Sequence, residues 1–138
     1  MICAVLDTNV LVQAFLSDKG SGHELVKQAV LGKFVAYTSN EILAEYERIL
    51  QRDFDLPAGD ARRIVQDSLS FLALTFPDVR LDVIEEDPSD NRILECAVCV
   101  KAPYIVTHDQ HLLKRNGFQG VCVLTPGDFL IFLRKTLV

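Results

Sequence analysis

Short apolar segments that alternate with helical patterns constrain the fold of this chain most. Five such runs carry apolar residues almost throughout, which is typical of strands covered on both faces. Stretches whose apolar residues have helical spacing separate these runs. A helix between two strands provides the crossover connection that parallel strands need, so a parallel sheet is expected. The predicted strands cover residues 2–6, 34–38, 79–84, 104–107 and 121–124.

Helix start signals lie between the predicted strands. Ser21 and Thr38 are each followed three residues later by Glu, the pattern of a capping box. Asp87 before Pro88 predicts an N-cap and a first helical residue, for a helix that runs to Lys101. Further helices are expected over residues 10–16, 60–74 and 111–116, and after an N-cap at Thr125.

The order of these elements predicts an α/β fold. We expect a three-layer α/β/α sandwich around a five-stranded parallel sheet, Rossmann-like in its connections. The chain has 138 residues, enough for one domain with a sizeable core, and residues 1–138 contain no repeat or linker. A single domain over residues 1–138 is therefore expected.

Charge and hydropathy exclude several classes of protein. A net charge of −5 argues against a protein that coats DNA. No apolar stretch approaches the roughly 18 residues of a membrane span, and the N-terminus lacks the pattern of a signal peptide. We expect a cytoplasmic protein that does not contact a membrane.

Two of the four cysteines form a CxxC pattern, which is typical of zinc or redox sites. A zinc site needs a second pair, and a redox pair belongs at a helix N-terminus rather than in the middle of a helix. Buried, reduced thiols are the preferred interpretation. The cysteines are Cys3, Cys96, Cys99 and Cys122.

Four acidic residues are predicted to meet at one edge of the sheet. Asp7 follows the first strand and Asp109 the fourth, while Glu45 and Asp90 lie near the starts of helices. Ligands bind beyond the carboxyl ends of parallel strands, and every strand-to-helix connection lies there. A buried carboxylate is costly unless it is paired or binds a metal, so Asp7 within an apolar run indicates a site.

Each of the other three acids also has a structural interpretation. In a first helical turn, Asp90 interacts favourably with the helix dipole. Glu45 can form an ion pair with Arg48 on one helical face, and Asp109 can cap the helix that follows it. Asp7 has no comparable structural purpose. The prediction of a site rests on the four acids together.

Clustered carboxylates repel one another unless a cation is present, and ligand sets made of oxygen suit Mg²⁺ or Mn²⁺. Such an ion activates water and neutralises the charge that develops on a phosphate during hydrolysis. The four acids therefore predict metal-dependent hydrolysis of a phosphodiester.

Four motifs in order, LDTNV, SNEILAE, DPSDNRILECA and IVTHD, resemble those of the PIN-domain nucleases. The resemblance extends over essentially the whole chain and is greatest to the VapC-like toxins of toxin–antitoxin pairs. It implies a PIN-like fold in which four acids are catalytic and bind the metal. Those acids are Asp7, Glu45, Asp90 and Asp109.

The resemblance also implies supporting residues. Asn9 and Thr107 match polar residues beside the first and fourth acids of the family. Asp90 rather than Asp87 matches the third acid, because the family carries an Ile three residues later and Ile93 satisfies that spacing. Asp87 is then a supporting acid or only a helix cap.

The chain departs from the family at one position. Many relatives carry a further acid two residues after the fourth, where this chain has His111. Together with His108 it is interpreted as a surface residue of a loop, and contact with a phosphate or a metal-associated water is the alternative.

The resemblance implies an endoribonuclease that cleaves single-stranded RNA with Mg²⁺ or Mn²⁺, leaving 5′-phosphate and 3′-hydroxyl ends. Its implied partners are RNA, a second copy of the chain in a homodimer, and an antitoxin. The alternatives are a PIN-fold protein of RNA processing or one that only binds RNA. A receiver-type phosphotransfer domain is disfavoured, because it needs paired acids after strand one and a Lys after the last strand.

Overall fold

The computed structural model describes residues 1–137, and their strands form one parallel sheet. The strand order is β3-β2-β1-β4-β5, so β1 is central and pairs with β2 and β4. The predicted five-stranded parallel sheet is confirmed. The strands are β1 (Cys3–Leu6), β2 (Val35–Ser39), β3 (Leu72–Thr75), β4 (Tyr104–Val106) and β5 (Cys122–Leu124).

Helices cover both faces of the sheet. From β1 to β3 the chain moves towards one edge, and it then crosses back past β1 to β4. Right-handed crossovers therefore place the helix before β4 on the face opposite the first four helices, which gives three layers. The helices are α1 (Thr8–Leu16), α2 (Ser21–Val30), α3 (Asn40–Phe54), α4 (Ala58–Ser68), α5 (Asp90–Val100), α6 (Gln110–Leu113) and α7 (Pro126–Thr136), with a 3₁₀ turn at Phe118–Gly120.

The core lies between the sheet and its helices. Val5 of β1 is fully buried, and Phe129 of α7 packs its ring 5.1 Å from Phe34 and 5.8 Å from Tyr104. Burial of each large apolar side chain contributes about 1.5–3 kcal/mol. Among residues 1–137, none of the helices has the length and hydropathy that a bilayer crossing requires.

The predicted third strand is wrong. Residues 79–84 alternate apolar and polar side chains, as an edge strand does, but they form an irregular segment. Their backbone bonds to side chains of α5: Leu81 N donates to Glu95 Oε2 at 2.6 Å, and Val83 N donates to Asn91 Oδ1 at 2.9 Å. The real β3 lies inside the helix expected over residues 60–74, because α4 ends at Ser68.

The N-caps of α7 and α3 test two further predictions. Thr125 is confirmed as a cap, since its side chain accepts a hydrogen bond from Asp128 N at 3.2 Å. The cap expected at Thr38 is displaced by one residue, because Ser39 Oγ accepts from Ile42 N at 3.3 Å.

The four cysteines are free thiols, but the burial that the sequence predicted is found only for Cys96. Cys96 is buried on α5, and burial raises the pKa of its thiol to about 11. Cys99 follows one turn later and is only half-buried. A neutral, buried thiol is a poor nucleophile, which agrees with a packing role for Cys96.

Candidate metal centre

The candidate site lies where the sheet changes direction, between β1 and β4. The chain leaves β1 for α1 on one face and leaves β4 for α6 on the other. Such a switch point opens a crevice at the carboxyl ends of the strands. Asp7 follows β1, and Thr107 and Asp109 follow β4, so the topology brings them to this crevice.

Asp7 is the N-cap residue of α1, and only its backbone takes part in the cap. Its N–H donates to Val106 O at 3.0 Å, and its carbonyl accepts from Val10 N at 3.0 Å. The side chain makes no capping bond and is 3% exposed. Instead it accepts a hydrogen bond from Thr107 Oγ1 at 2.6 Å. The acid that interrupts the apolar run is therefore directed across to β4.

Thr107 connects two of the predicted acids. Its hydroxyl donates to Asp7 and accepts from Asp109 N at 2.9 Å, and the residue is fully buried. Asp109 in turn caps α6, because its Oδ1 accepts from His111 N at 2.7 Å. The capping interpretation of Asp109 is thus confirmed, and the same carboxylate still lies in the site.

Asp90 brings a third carboxylate to this edge from the first residue of α5. It is 5% exposed, and its Oδ2 has no hydrogen-bond partner among the described residues. Potential ligand atoms of Asp90, Asp109 and His111 all lie within 4.8 Å of one another. The structure therefore brings Asp90 together with Asp109 and adds a histidine.

A small cavity of about 40 Å³ connects the acids. Its volume is enough for roughly three water-sized spheres, or for an ion with part of its hydration shell. Three of the four predicted acids line it, whereas Asp109 is not among its lining residues. The lining residues that the sequence predicted are the acids Asp7, Glu45 and Asp90 and the supporting residues Asn9 and Asp87.

Burial and mutual repulsion raise the pKa of two of the acids. Burial raises the pKa of Asp7 to about 6, against the hydrogen bond from Thr107, and the charge of Asp109 adds to the rise. The pKa of Asp90 is raised further, first by burial and then by the closeness of Asp109 and the charge of Asp7. Without a cation, these carboxyls retain protons at pH values where an exposed Asp is ionised.

Glu45 lines the cavity from α3 but is engaged elsewhere. Its carboxylate forms an ion pair with Arg48, one helical turn away. The predicted ion-pair interpretation is therefore observed, although Glu45 also faces the acids. Glu45 must exchange Arg48 for any ion that it binds in the cavity.

Asp87 is not the helix cap that the sequence predicted. Ser89 occupies the N-cap position of α5, and Asp90 N donates to Asp87 O at 3.0 Å in the preceding turn. This turn places Asp87 two residues before the N-cap position. Its carboxylate accepts from Ser89 Oγ at 2.6 Å and faces the cavity. Asn9 also lines the cavity, although the residue as a whole is exposed.

Sequence reasoning missed three residues of the site. The acid cavity is also lined by Thr8, which directly follows Asp7, and by Ser89, which directly precedes Asp90. His111 was interpreted as a surface residue, yet its Nδ1 lies 3.4 Å from Asp109 Oδ1 and its side chain is 39% exposed. The available signal was its spacing from Asp109. His108 is exposed and does not belong to this group.

The donor set fits a divalent cation. Carboxylate oxygens that repel one another, together with the unpaired Oδ2 of Asp90, provide the oxygen ligands that hard cations prefer. A bound cation would favour the ionised form of each carboxyl and so lower the pKa of Asp7 and Asp90.

Comparison with solved structures shows the same fold. VapBC2 from Rickettsia felis, bound to a DNA fragment from its promoter, matches with a TM-score of 0.64 and 16% identity, over 88% of this chain and 97% of that one. PAE2754 from Pyrobaculum aerophilum matches with a TM-score of 0.57 and 16% identity, over 97% and 98% of the two chains. No curated protein matches the sequence significantly.

The sequence profile of the PIN domain matches residues 3–111, which include the three acids of the switch point and Glu45. The matched segment extends from β1 to α6. The chain therefore belongs to the PIN domain family, a family of nucleases.

Proposed function

We propose that this protein is a metal-dependent endoribonuclease that hydrolyses phosphodiester bonds of single-stranded RNA, as the toxin of a toxin–antitoxin pair. The observation that carries the proposal is the set of buried carboxyls at the switch point. Asp7 and Asp90 are 3% and 5% exposed, have raised pKa values and lie beside Asp109. A chain keeps such an arrangement at a cost in stability, which a bound cation offsets.

The metal ligands in this proposal are the four predicted acids, three of which line the cavity while Asp109 lies beside Asp90. When bound, Mg²⁺ or Mn²⁺ activates water for attack on phosphorus and neutralises charge on the phosphate. The oxygen-rich donor set and the unpaired Asp90 Oδ2 support this assignment. The proposed ligands are Asp7, Glu45, Asp90 and Asp109.

The chain itself orients the ligands. Thr107 donates to Asp7 Oδ2 and so fixes the rotamer of that carboxylate. Its oxygen also accepts from Asp109 N, which fixes the backbone that carries the second carboxylate. Such supporting hydrogen bonds orient metal ligands and tune their basicity. Asp87 and Asn9 support the site from the rim of the cavity.

A larger cleft of about 280 Å³ adjoins the acid cavity and supports an RNA substrate. Thr8, Glu45 and Ser89 line both spaces, so a strand in the cleft passes beside the acids. Arg48 and Arg92 also line the cleft, but each is paired with an acid, Glu45 and Glu95 respectively. A phosphate in the cleft would compete with these acids for the two guanidinium groups. A single strand exposes its backbone to such a cleft, and hydrolysis at the P–O3′ bond leaves 5′-phosphate and 3′-hydroxyl ends.

The toxin role and the partners extend this proposal. The fold is shared with a VapBC toxin–antitoxin complex from Rickettsia felis, which supports an antitoxin as partner. The resemblance to VapC-like toxins further supports a homodimer. A cytoplasmic location agrees with the free thiols at all four cysteines.

The decisive experiment is cleavage of a mixed panel of single-stranded RNAs with Mg²⁺, with Mn²⁺ and with EDTA. Wild type is compared with Asp7→Asn and with Asp18→Asn, a control on an exposed loop acid. We expect cleavage that needs metal, is lost in Asp7→Asn and is retained in Asp18→Asn. Equal cleavage by Asp7→Asn would contradict the assignment. RNA binding without cleavage by folded wild type would identify a binding-only protein.

A further inference from the structure

His111 lies among the acids with a nitrogen atom in position to bind an ion. Its Nδ1 is 3.4 Å from Asp109 Oδ1, and one potential ligand atom each of His111, Asp109 and Asp90 lies within 4.8 Å of the other two. A second, independent observation is the Oδ2 of Asp90, which is buried and has no hydrogen-bond partner among the described residues. This cluster therefore combines oxygen and nitrogen donors, and one of its acids carries an unsatisfied acceptor.

The spacing of these atoms suits one ion. Two ligand atoms about 2.1 Å from an octahedral ion are about 3.0 Å apart when adjacent and about 4.2 Å apart when opposite. The distance of 3.4 Å between His111 and Asp109 is near the first value. If the two atoms moved closer by a few tenths of an ångström, their spacing would match that of adjacent ligands of an octahedral ion.

The fold keeps the imidazole near this place. His111 N donates to Asp109 Oδ1, so the backbone of both residues is held in the first turn of α6. The next residue, Leu112, is fully buried and anchors this short helix to the core. His108 lies in the same loop but is exposed and outside the cluster.

We propose that His111 is a nitrogen ligand of the metal centre and makes it select Mn²⁺ over Mg²⁺. This inference rests on the metal site of the proposed function and specifies its ion. Mg²⁺ strongly prefers oxygen ligands, whereas imidazole suits first-row transition ions. A mixed set of carboxylates and one imidazole therefore binds Mn²⁺ more tightly than a set of carboxylates alone would, relative to Mg²⁺.

The contrasting role is an ion pair in which His111 only neutralises Asp109. In that role the imidazole competes with a bound cation, and its removal strengthens the binding of both ions alike. As a ligand, its removal weakens Mn²⁺ binding and leaves Mg²⁺ binding almost unchanged. The two roles therefore predict changes of opposite sign in Mn²⁺ affinity.

The experiment measures Mn²⁺ and Mg²⁺ affinities by titration calorimetry, without RNA and at one pH. It compares wild type with His111→Gln, His111→Asp and the control His108→Gln, each checked for folding by circular dichroism. We expect wild type to prefer Mn²⁺, and His111→Gln to lose at least about tenfold in Mn²⁺ affinity. His111→Asp should raise Mg²⁺ affinity and reduce the preference, while His108→Gln should match wild type.

Pulsed electron paramagnetic resonance of bound Mn²⁺ gives a direct readout of ligation. Wild type and His108→Gln should show ¹⁴N modulation from a coordinated imidazole, and His111→Gln should lose it. Absence of this modulation in wild type, or an unchanged ratio of Mn²⁺ to Mg²⁺ affinity in His111→Gln, would overturn the proposal.

The two proposals fail in different ways. If wild type binds neither ion, the metal site of the proposed function is wrong and His111 is not a ligand. If wild type binds metal and cleaves RNA while His111→Gln keeps the wild-type ratio, only the nitrogen ligation is wrong.

Discussion

Helix α5 carries two buried polar clusters, and they differ in whether the side chain at their centre has its hydrogen bonds satisfied. In the first, Asn91 Oδ1 accepts from Val83 N and Ile84 N, both at 2.9 Å. Its Nδ2 donates to Ile84 O and Pro88 O, both at 3.0 Å. Asn91 therefore holds the irregular segment before α5 in place and has no bonding capacity left for a ligand.

Glu95 belongs to the same cluster. It is 2% exposed, and its Oε2 accepts from Leu81 N at 2.6 Å and from Arg92 Nη2 at 2.8 Å. Arg92 Nη2 also donates to Leu81 O at 2.9 Å, whereas the buried Nε of Arg92 has no hydrogen-bond partner among the described residues. The buried charge of Glu95 is thus paired and hydrogen-bonded within the chain.

The second cluster begins one residue before Asn91 and has the opposite character. Asp90 is as deeply buried as Glu95, but one oxygen has no partner and the neighbouring charges are those of Asp7 and Asp109. Satisfied polar groups stabilise a fold, whereas unsatisfied like charges destabilise it until something else binds. The difference separates a structural cluster from the candidate metal centre on one helix.

The largest expected effect comes from Asp90→Asn. Loss of this proposed ligand should reduce the cleavage rate about a thousandfold, because a metal ion contributes several kcal/mol to the transition state. The same variant should be more stable than wild type in EDTA at pH 8, because the folded protein must either keep a proton on Asp90 or bear its repulsion with Asp7 and Asp109, and Asn does neither. Cleavage assays and urea unfolding measure the two effects. Lower stability of the metal-free variant would contradict the contrast with Asn91.

Asn91→Ala should act on stability in the opposite direction. It leaves Val83 N, Ile84 N and Ile84 O without their partner, and each unsatisfied buried group costs about 1–3 kcal/mol. We expect the free energy of unfolding to fall by about 3 kcal/mol, with or without metal, as measured in urea. Asn40→Ala, at an exposed residue of α3, is the control and should change it little. An equally stable Asn91→Ala variant would remove the distinction between the clusters.

Stability of the metal-free protein should fall as the pH rises through the range in which Asp7 titrates. The pKa of Asp7 is about 6 in the folded protein, whereas its ordinary value is 3.8. Between these two pH values the folded protein therefore binds more protons at Asp7 than the unfolded chain does. Unfolding then becomes easier with rising pH, by roughly 2–3 kcal/mol in total at 1.36 kcal/mol per unit. Asp90 extends this fall to higher pH, since its pKa is also raised.

Urea unfolding of wild type and Asp7→Asn in EDTA from pH 4 to pH 8 isolates this effect. The stability difference between them should grow with pH, in favour of the variant. Saturating Mn²⁺ should reverse the difference, because the ion stabilises only the protein that retains the Asp7 carboxylate. A difference that stays constant with pH would show that Asp7 titrates as an ordinary exposed acid.

The smallest expected effect concerns Arg48. Arg48→Gln removes the ion-pair partner of Glu45, so Mn²⁺ no longer competes with a guanidinium, and its affinity should rise about two- to fivefold. An exposed ion pair is worth only about 0.2–1 kcal/mol, which limits the gain. Arg52→Gln is the matched control, since the two arginines are 60% and 61% exposed on the same helix. Calorimetry that finds equal affinities in both variants would place Glu45 outside the metal centre.

Local pattern was sufficient for the sheet but not for every strand. Apolar runs between helices predicted parallel strands, and four of the five predicted strands coincide with real ones. Residues 79–84 have the alternation of a strand, yet their backbone partners are side chains such as Asn91 and Glu95. Alternation of apolar and polar residues indicates only that the backbone is extended. Which groups the backbone then bonds to depends on residues distant in the chain.

The acids show the same division. That Asp7 and Asp109 would meet follows from the sequence, because both come directly after strands whose carboxyl ends share an edge. Their hydrogen bonds through Thr107, the pairing of Glu45 with Arg48 and the position of His111 do not follow from it. These depend on side-chain packing, which no local pattern records.

The sequence by itself determined the fold class and the family, and it predicted the set of acids, since each depends on residue type and spacing. Only the tertiary structure decided that Asp90 is buried with an unpaired oxygen while Asn91 beside it is fully bonded. The physical reason is that the cost of a buried polar group depends on the atoms that surround it, and folding brings those atoms from distant parts of the chain.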